Sequence, residues 1–212
     1  MKALSILFIL SISILPQNNP KFEEYFLDET LRIDYFHIGD AKTEMITIDK
    51  MFRYGIWAGS LNHLIDNFNN GKYYLKIYDY NSGNLIYSKG FDTFFGEYAS
   101  GDDGVNGVTK SFHETVIIPL PKNKIAFVLE KRDEKNELKE FFRTLIDPKS
   151  IYVIKDKISD ASVEILKPVN NGDSHKKVDI AILAEGYTKS EREKFENDLN
   201  RFVGYFFEQE PY

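Results

Sequence analysis

His113 and Glu114 stand side by side. A neighbouring His and Glu open the helical zinc string His-Glu-x-x-His, where two histidines one turn apart grip the metal and the glutamate activates its water. The position four beyond His113 is Ile117, so the second ligand is missing. Phe112, Val116, Ile117 and Ile118 give the surroundings the apolar, β-branched character of a strand, in which a four-residue offset does not bring two side chains onto one metal. The pattern favours a partly buried strand histidine with Glu114 on the opposite face. No two of the four histidines, His37, His63, His113 and His175, are three to five residues apart, so a histidine site would have to be assembled by tertiary folding.

Other chemistries have weaker signals. Gly101 to Gly107 is an acidic loop offering Asp102, Asp103 and Asn106 as oxygen donors for calcium. It lacks the alternating ligand register and terminal Glu of an EF-hand loop, which makes a mobile β-connection the default. Tyr73, Tyr74, Tyr78, Tyr80 and Tyr87, with Trp57 and Tyr98, are candidates for an aromatic platform beneath a sugar or peptide, and equally for half-buried sheet positions. Neither a Gly-x-Ser-x-Gly elbow nor a phosphate-cradling Gly-x-x-x-x-Gly-Lys loop occurs. Cysteine is absent, which excludes disulfides, thiolate zinc centres, iron–sulfur clusters and cysteine nucleophiles. These patterns assign no catalytic, cofactor-binding or metal-ligating residue.

The elements that would carry any site read as short strands. Between Thr30 and about Lys167, segments rich in Ile, Tyr, Phe and Val alternate with Gly, Asn, Asp and Pro clusters at the spacing of an all-β sandwich. From Thr30 to Ile38, Leu31, Ile33 and Tyr35 share one face and Arg32 and Asp34 take the other. Lys72 to Tyr80 and Leu85 to Phe91 form a hairpin around the turn Asn81-Ser82-Gly83-Asn84. Thr43 to Arg53, Ser111 to Ile118, Lys124 to Arg132, Leu138 to Ile146 and Ser162 to Lys167 are further strand candidates. Leu138, Phe141, Phe142 and Leu145 also recur at helical spacing, so that segment stays open.

A polar stretch from Pro168 to Lys177 marks a boundary. Beyond it, Val178 to Ala184 is a nearly continuous apolar run, as expected of a strand covered on both faces. Thr188-Lys189-Ser190-Glu191 carries a capping-box signature, and Phe195, Leu199, Phe202, Val203 and Phe206 make one apolar helical stripe that Pro211 stops. One strand and one helix cannot bury both faces of that strand, so this unit needs partners.

The 212 residues include 27 basic and 33 acidic side chains, a formal charge of −6. That balance argues against a general nucleic-acid binder, which needs a basic face. Behind Lys2, the run from Ala3 to Leu15 reaches only about 20 Å as a helix, short of a roughly 30 Å bilayer core. With the polar, proline-bounded exit from Pro16 to Pro20 it reads as a secretory signal rather than a membrane span.

Several segments carry a resemblance as a set: Thr30-Leu-Arg-Ile-Asp-Tyr-Phe-His-Ile-Gly-Asp-Ala-Lys-Thr-Glu44, Tyr87-Ser-Lys-Gly-Phe-Asp-Thr-Phe-Phe-Gly-Glu-Tyr98, Ser111-Phe-His-Glu114 with Pro119-Leu-Pro121, Glu130-Lys-Arg-Asp133 and Ile146-Asp-Pro148. Together they resemble the N-terminal domain of the secreted IgA-peptidase-type zinc metallopeptidases. Val178-Asp-Ile-Ala-Ile-Leu-Ala-Glu-Gly-Tyr-Thr188, with Phe195, Asp198 and Glu210-Pro211-Tyr212, resembles the opening of that family's catalytic domain. Tyr98, where the family pattern has Trp, and Glu185, where it has Asp, depart mildly. The resemblance implies a β-sandwich ahead of a zincin-like peptidase, whose His-Glu-x-x-His helix lies downstream of the matched segment. No zinc ligand or catalytic glutamate carries over onto any residue of this chain.

The expectation is a mainly β protein. It comprises a signal peptide at 1–20, an antiparallel β-sandwich at 21–168, and at 176–212 the first strand and helix of an incomplete, truncated zincin-like α/β domain. The chain should be secreted or periplasmic, inactive alone and without a cofactor, zinc belonging to the downstream catalytic region. Its expected partner is the remainder of its own catalytic domain, with a protein or glycan ligand also considered and neither nucleic acid nor a membrane span. The alternative is a stand-alone secreted β-sandwich that binds glycan or protein.

Overall fold

The structure, a computed structural model, describes residues 19–155 and 163–210. The expected signal segment, Ser162 and the stop at Pro211 lie outside the described residues.

Among the described residues, eight strands form two sheets. The first has the order β5 (Lys110–Pro121), β1 (Phe26–Gly39), β2 (Glu44–Arg53), β8 (Val153–Ile154), and the second β4 (Leu85–Phe91), β3 (Tyr73–Asp79), β6 (Ile125–Arg132), β7 (Leu138–Ile146). All pairings are antiparallel except β2 with β8. The sheets pack face to face over one core, to which β1 gives Leu31, Ile33 and Tyr35, β3 gives Leu75 and Ile77, β5 gives Ile118 and Leu120, and β6 gives Phe127 and Leu129. Period-two alternation makes this possible, since each strand turns every second side chain inward. On the opposite face of β1, Asp34 is nevertheless buried, because the Arg32 guanidinium clamps it at 2.7 and 2.8 Å and Thr115 donates at 2.7 Å.

The segment with two readings, Leu138 to Ile146, is a strand. A bulge between Leu129 and Glu130 of β6 leaves Phe141 as the extra residue opposite, so Phe141 and Phe142 both pack on the core and break the alternation. The loop from Gly101 to Gly107 contains a turn of helix, α3 (Asp102–Val105), and the preceding residues form α2 (Phe94–Ala99), with a short α1 (Phe22–Tyr25) at the start of the described chain. Thr93 caps α2, its hydroxyl accepting from Gly96 N–H at 2.8 Å.

Two expected strands are absent. Residues 163–167 and Val178 to Ala184 have no regular structure, with Val178 at 88% and Leu183 at 89% exposure. A two-sided apolar run becomes a strand only when neighbours supply its ladder hydrogen bonds, and none of the described residues does so. The helix does form. A 3-10 turn at Lys189–Glu191 carries the Thr188–Glu191 capping box and leads into α4 (Arg192–Glu208), whose apolar stripe has only Leu199 buried.

Burial ranks the strand positions energetically. Ile33→Ala should cost about 2–5 kcal/mol, because Ile33 is fully enclosed, whereas Ile117→Ala on the 40% exposed outer face should cost under about 1 kcal/mol. Urea denaturation of both variants checks this; equal losses would contradict the assignment of faces.

Candidate functional site

The feature of the core that packing alone does not explain is a charged cluster at the end of the sandwich where β1 finishes. His37 is in phase with Leu31, Ile33 and Tyr35, and therefore points inward, with only 1% of its surface exposed. Glu114 faces Tyr35 across the β1–β5 ladder and Glu44 faces Gly39 across the β1–β2 ladder, each one diagonal step from His37 on the same face. His37 Nδ1 lies 3.0 Å from Glu114 Oε2 and Nε2 lies 2.7 Å from Glu44 Oε1. Lys131 Nζ, from β6 of the other sheet, also bonds Glu44. The Phe95 N–H of α2 donates to Glu114 Oε1 at 3.0 Å, and the Phe95 ring stacks on the imidazole at 3.9 Å.

The hairpin that delivers Glu44 depends on a glycine. Gly39 has φ +146°, and a Cβ there would sit 2.0 Å from the Thr43 carbonyl oxygen. Asp40 closes the turn by accepting from the N–H groups of Lys42 and Thr43, each at 2.8 Å.

A neutral imidazole has one N–H and one lone pair, so it cannot donate to carboxylates on both sides. The observed arrangement is that of an imidazolium between two carboxylates, with Lys131 balancing the second negative charge. Burial opposes the charges of His37, Glu44 and Glu114, and the contacts overcome it. The bonds to Glu114 and Glu44 raise the His37 pKa. The His37 bond and the Phe95 N–H hold Glu114 low, and His37 with Lys131 hold Glu44 low. Burial and the adjacent carboxylates push the hydroxyls of Tyr35 and Tyr73 far up.

Of the residues singled out from the sequence, Glu114 belongs to the cluster and Tyr73 packs against His37, while the others lie elsewhere. His113 is on the outer face of β5, 3.1 Å from Asp49, while Glu114 is on the inner face. Asp103 of the acidic loop pairs with Lys110 at 2.8 Å. The aromatic platform is dismantled: Trp57, Tyr73, Tyr74 and Tyr87 are buried, because their strands turn them inward or cover them with loops, and only Tyr80 of the set is well exposed. Trp57 and Tyr87 meet edge to face in the core.

The comparisons with known proteins fit this layout. The family model described as Peptidase M64 N-terminus matches residues 21–143, and the model described as IgA Peptidase M64 matches residues 165–212. The chain belongs to the Peptidase M64 N-terminus family. No curated protein matches it. The M64 N-terminal domain coincides with the β-rich part of the fold, from α1 to the middle of β7, and the start of the M64 peptidase domain coincides with the segment that ends in α4.

No His-Glu-x-x-His string occurs in the 212 residues, and among the described residues no group of three acidic or histidine side chains is placed to hold a metal ion. Zinc does not fit the cluster of His37, Glu44 and Glu114, because Nδ1 and Nε2 point to opposite sides of the ring and each already faces a carboxylate.

The cluster sets a pH window. The depressed pKa values of Glu44 and Glu114 make their contribution present above 4.5 and lost as pH falls through the folded values. The raised pKa of His37 makes its contribution present below 6.5 and lost as pH rises through the folded value. Folding stability should peak between these limits. His37→Gln should cost about 3–5 kcal/mol at pH 6, by leaving two buried carboxylates short of a cation, and should flatten the alkaline limb. Urea denaturation at a series of pH values checks both; an alkaline limb unchanged in the variant would contradict them.

Proposed function

We propose that residues 21–168 are the non-catalytic β domain of an exported M64 zinc metallopeptidase, and that residues 176–212 belong to its catalytic domain. The partner is then the remainder of that catalytic domain, which covers the apolar faces of the opening segment and supplies the zinc ligands. The observation that carries this is the state of the matched segment. Val178 and Leu183 are almost fully exposed, Phe202 and Tyr205 of α4 are more than half exposed, and α4 meets the rest of the fold chiefly through its own leading turn. Apolar groups arranged as a strand and a helical stripe are stable in water only when another surface covers them.

Export rests on the basic start and short apolar run before Pro16. No helix of the described residues is long and apolar enough to cross a membrane. A stand-alone binding module would dock its tail on the sandwich and keep its aromatic residues open to ligand, whereas here the tail's apolar residues are exposed and the aromatics are buried.

A chain ending at Lys167 should melt within about 3 °C of the longer chain, under roughly 1 kcal/mol at this size. Neither form should hydrolyse peptides when zinc is added. A large stability loss on removing residues 168–212, or chelator-sensitive hydrolysis by the chain itself, would overturn the proposal.

A further inference from the structure

Tyr73 presents a second oddity beside the charged cluster. Its side chain is buried, its ring meets His37 edge to face at 5.6 Å, and its hydroxyl has no hydrogen-bond partner among the described residues. A buried hydroxyl without a partner is costly, because its lost bonds to water are not replaced. Yet it lies beside acceptors, since Tyr73 faces Lys131, the partner of Glu44, across the β3–β6 ladder, and both Tyr73 and the Thr93 hydroxyl flank Gly96. The Tyr73 ring is held by Gly96 of α2, where a Cβ would come within 2.9 Å of Cε2. The hydroxyl is therefore fixed next to Glu44 with its proton unused.

We propose that Glu44 is a proton-controlled switch with two partners, bonding His37 Nε2 when the imidazole is charged and the Tyr73 hydroxyl when it is neutral. When His37 loses one proton to solvent, one nitrogen becomes a lone pair facing a carboxylate, and that contact turns repulsive. Glu114 is the acceptor that stays. Its second oxygen is tied to the Phe95 N–H, so the remaining proton stays on Nδ1. Glu44 is the acceptor that moves, because Lys131 keeps its charge paired and Tyr73, which faces Lys131 across the β3–β6 ladder, offers a donor beside it. The groups facing His37 are Tyr35 on its own strand, Glu114 from β5, Glu44 from β2 with Lys131 of β6 behind it, and Tyr73 from β3; α2 and β7 contribute the rings of Phe95 and Phe141. The titration converts the inter-sheet tie from β1–β2–β6 to β3–β2–β6. It is felt by the α2–α3 cap, which rests on Tyr73 through Gly96 and on the β1–β2 turn through the 3.1 Å bond from Ala41 N–H to Gly104 O.

The test is a pH titration of the whole chain labelled with nitrogen-15, following the His37 ring, assigned through its contacts with Phe95 and Tyr73. At pH 6 both ring nitrogens should carry protons. At high pH the ring should become the Nδ1–H tautomer, while a hydrogen-bonded Tyr73 hydroxyl proton appears. Tyr73→Phe removes a hydroxyl that is unbonded in the charged form, so stability at pH 6 should hold. Losing the waiting donor should raise the midpoint of the His37 titration by about half a pH unit, threefold in proton affinity. A neutral ring at pH 6, an Nε2–H tautomer at high pH, or an unmoved midpoint in Tyr73→Phe would each overturn the switch.

Discussion

A charged imidazole inside a sandwich can persist only if both of its N–H groups meet acceptors and its charge is balanced nearby, since an unpaired buried charge costs several kcal/mol. In this molecule those demands are met by three strands and one helix at once. β1 brings His37, β5 brings Glu114, β2 brings Glu44, and the amide of Phe95 fixes the far oxygen of Glu114. Each of these is local in register but distant in sequence, so the cluster exists only when both ladders on β1 are in their native register. A slip of one residue would turn His37 outward and leave two acids in the core. Lys131 extends the same condition to the second sheet. The charged end of the sandwich thus fixes what apolar packing leaves loose, namely which residue of each strand faces which.

The opposite end and the middle of the domain obey simpler rules. Phe22, Phe26, Leu120 and Ile125 fill one end, and aliphatic rows from both sheets fill the centre. The segment from residue 163 onward is built differently, with a well-capped helix and an apolar run but little of its surface buried. Local signals suffice to start a helix, whereas a strand and a packed helical face need neighbours. That contrast follows the two M64 matches, one on the β domain and one on the segment that leads into α4.

Most of the fold was legible because alternation is a local property. Leu31, Ile33 and Tyr35 mark the inner face of β1, and the Asn81–Asn84 turn marks the β3–β4 hairpin, with Gly83 at φ +70°. The β7 pattern stayed open between strand and helix because a bulge puts two adjacent phenylalanines on the core. The α2 helix was missed because Phe94, Phe95 and Gly96 are poor helix formers in a six-residue element whose one strong signal is the Thr93 cap. Val178 to Ala184 reads as a strand by composition, but pairing is not encoded in the run itself. The candidate site escaped for a related reason. His37, Glu44 and Glu114 each continue an inward apolar row, of Tyr35, of Ile46 and of Val116, and an ionisable residue in phase with such a row was the available clue. What no local pattern shows is that the three rows end at one place.

The most direct test of the charged cluster is a double-mutant cycle on His37→Gln and Glu114→Gln, measured by chemical denaturation at pH 6 and again well above the His37 titration. An imidazolium bonded to a buried carboxylate predicts a coupling above about 1 kcal/mol at pH 6 that shrinks at the higher pH. Additivity within about 0.5 kcal/mol at pH 6 would contradict it.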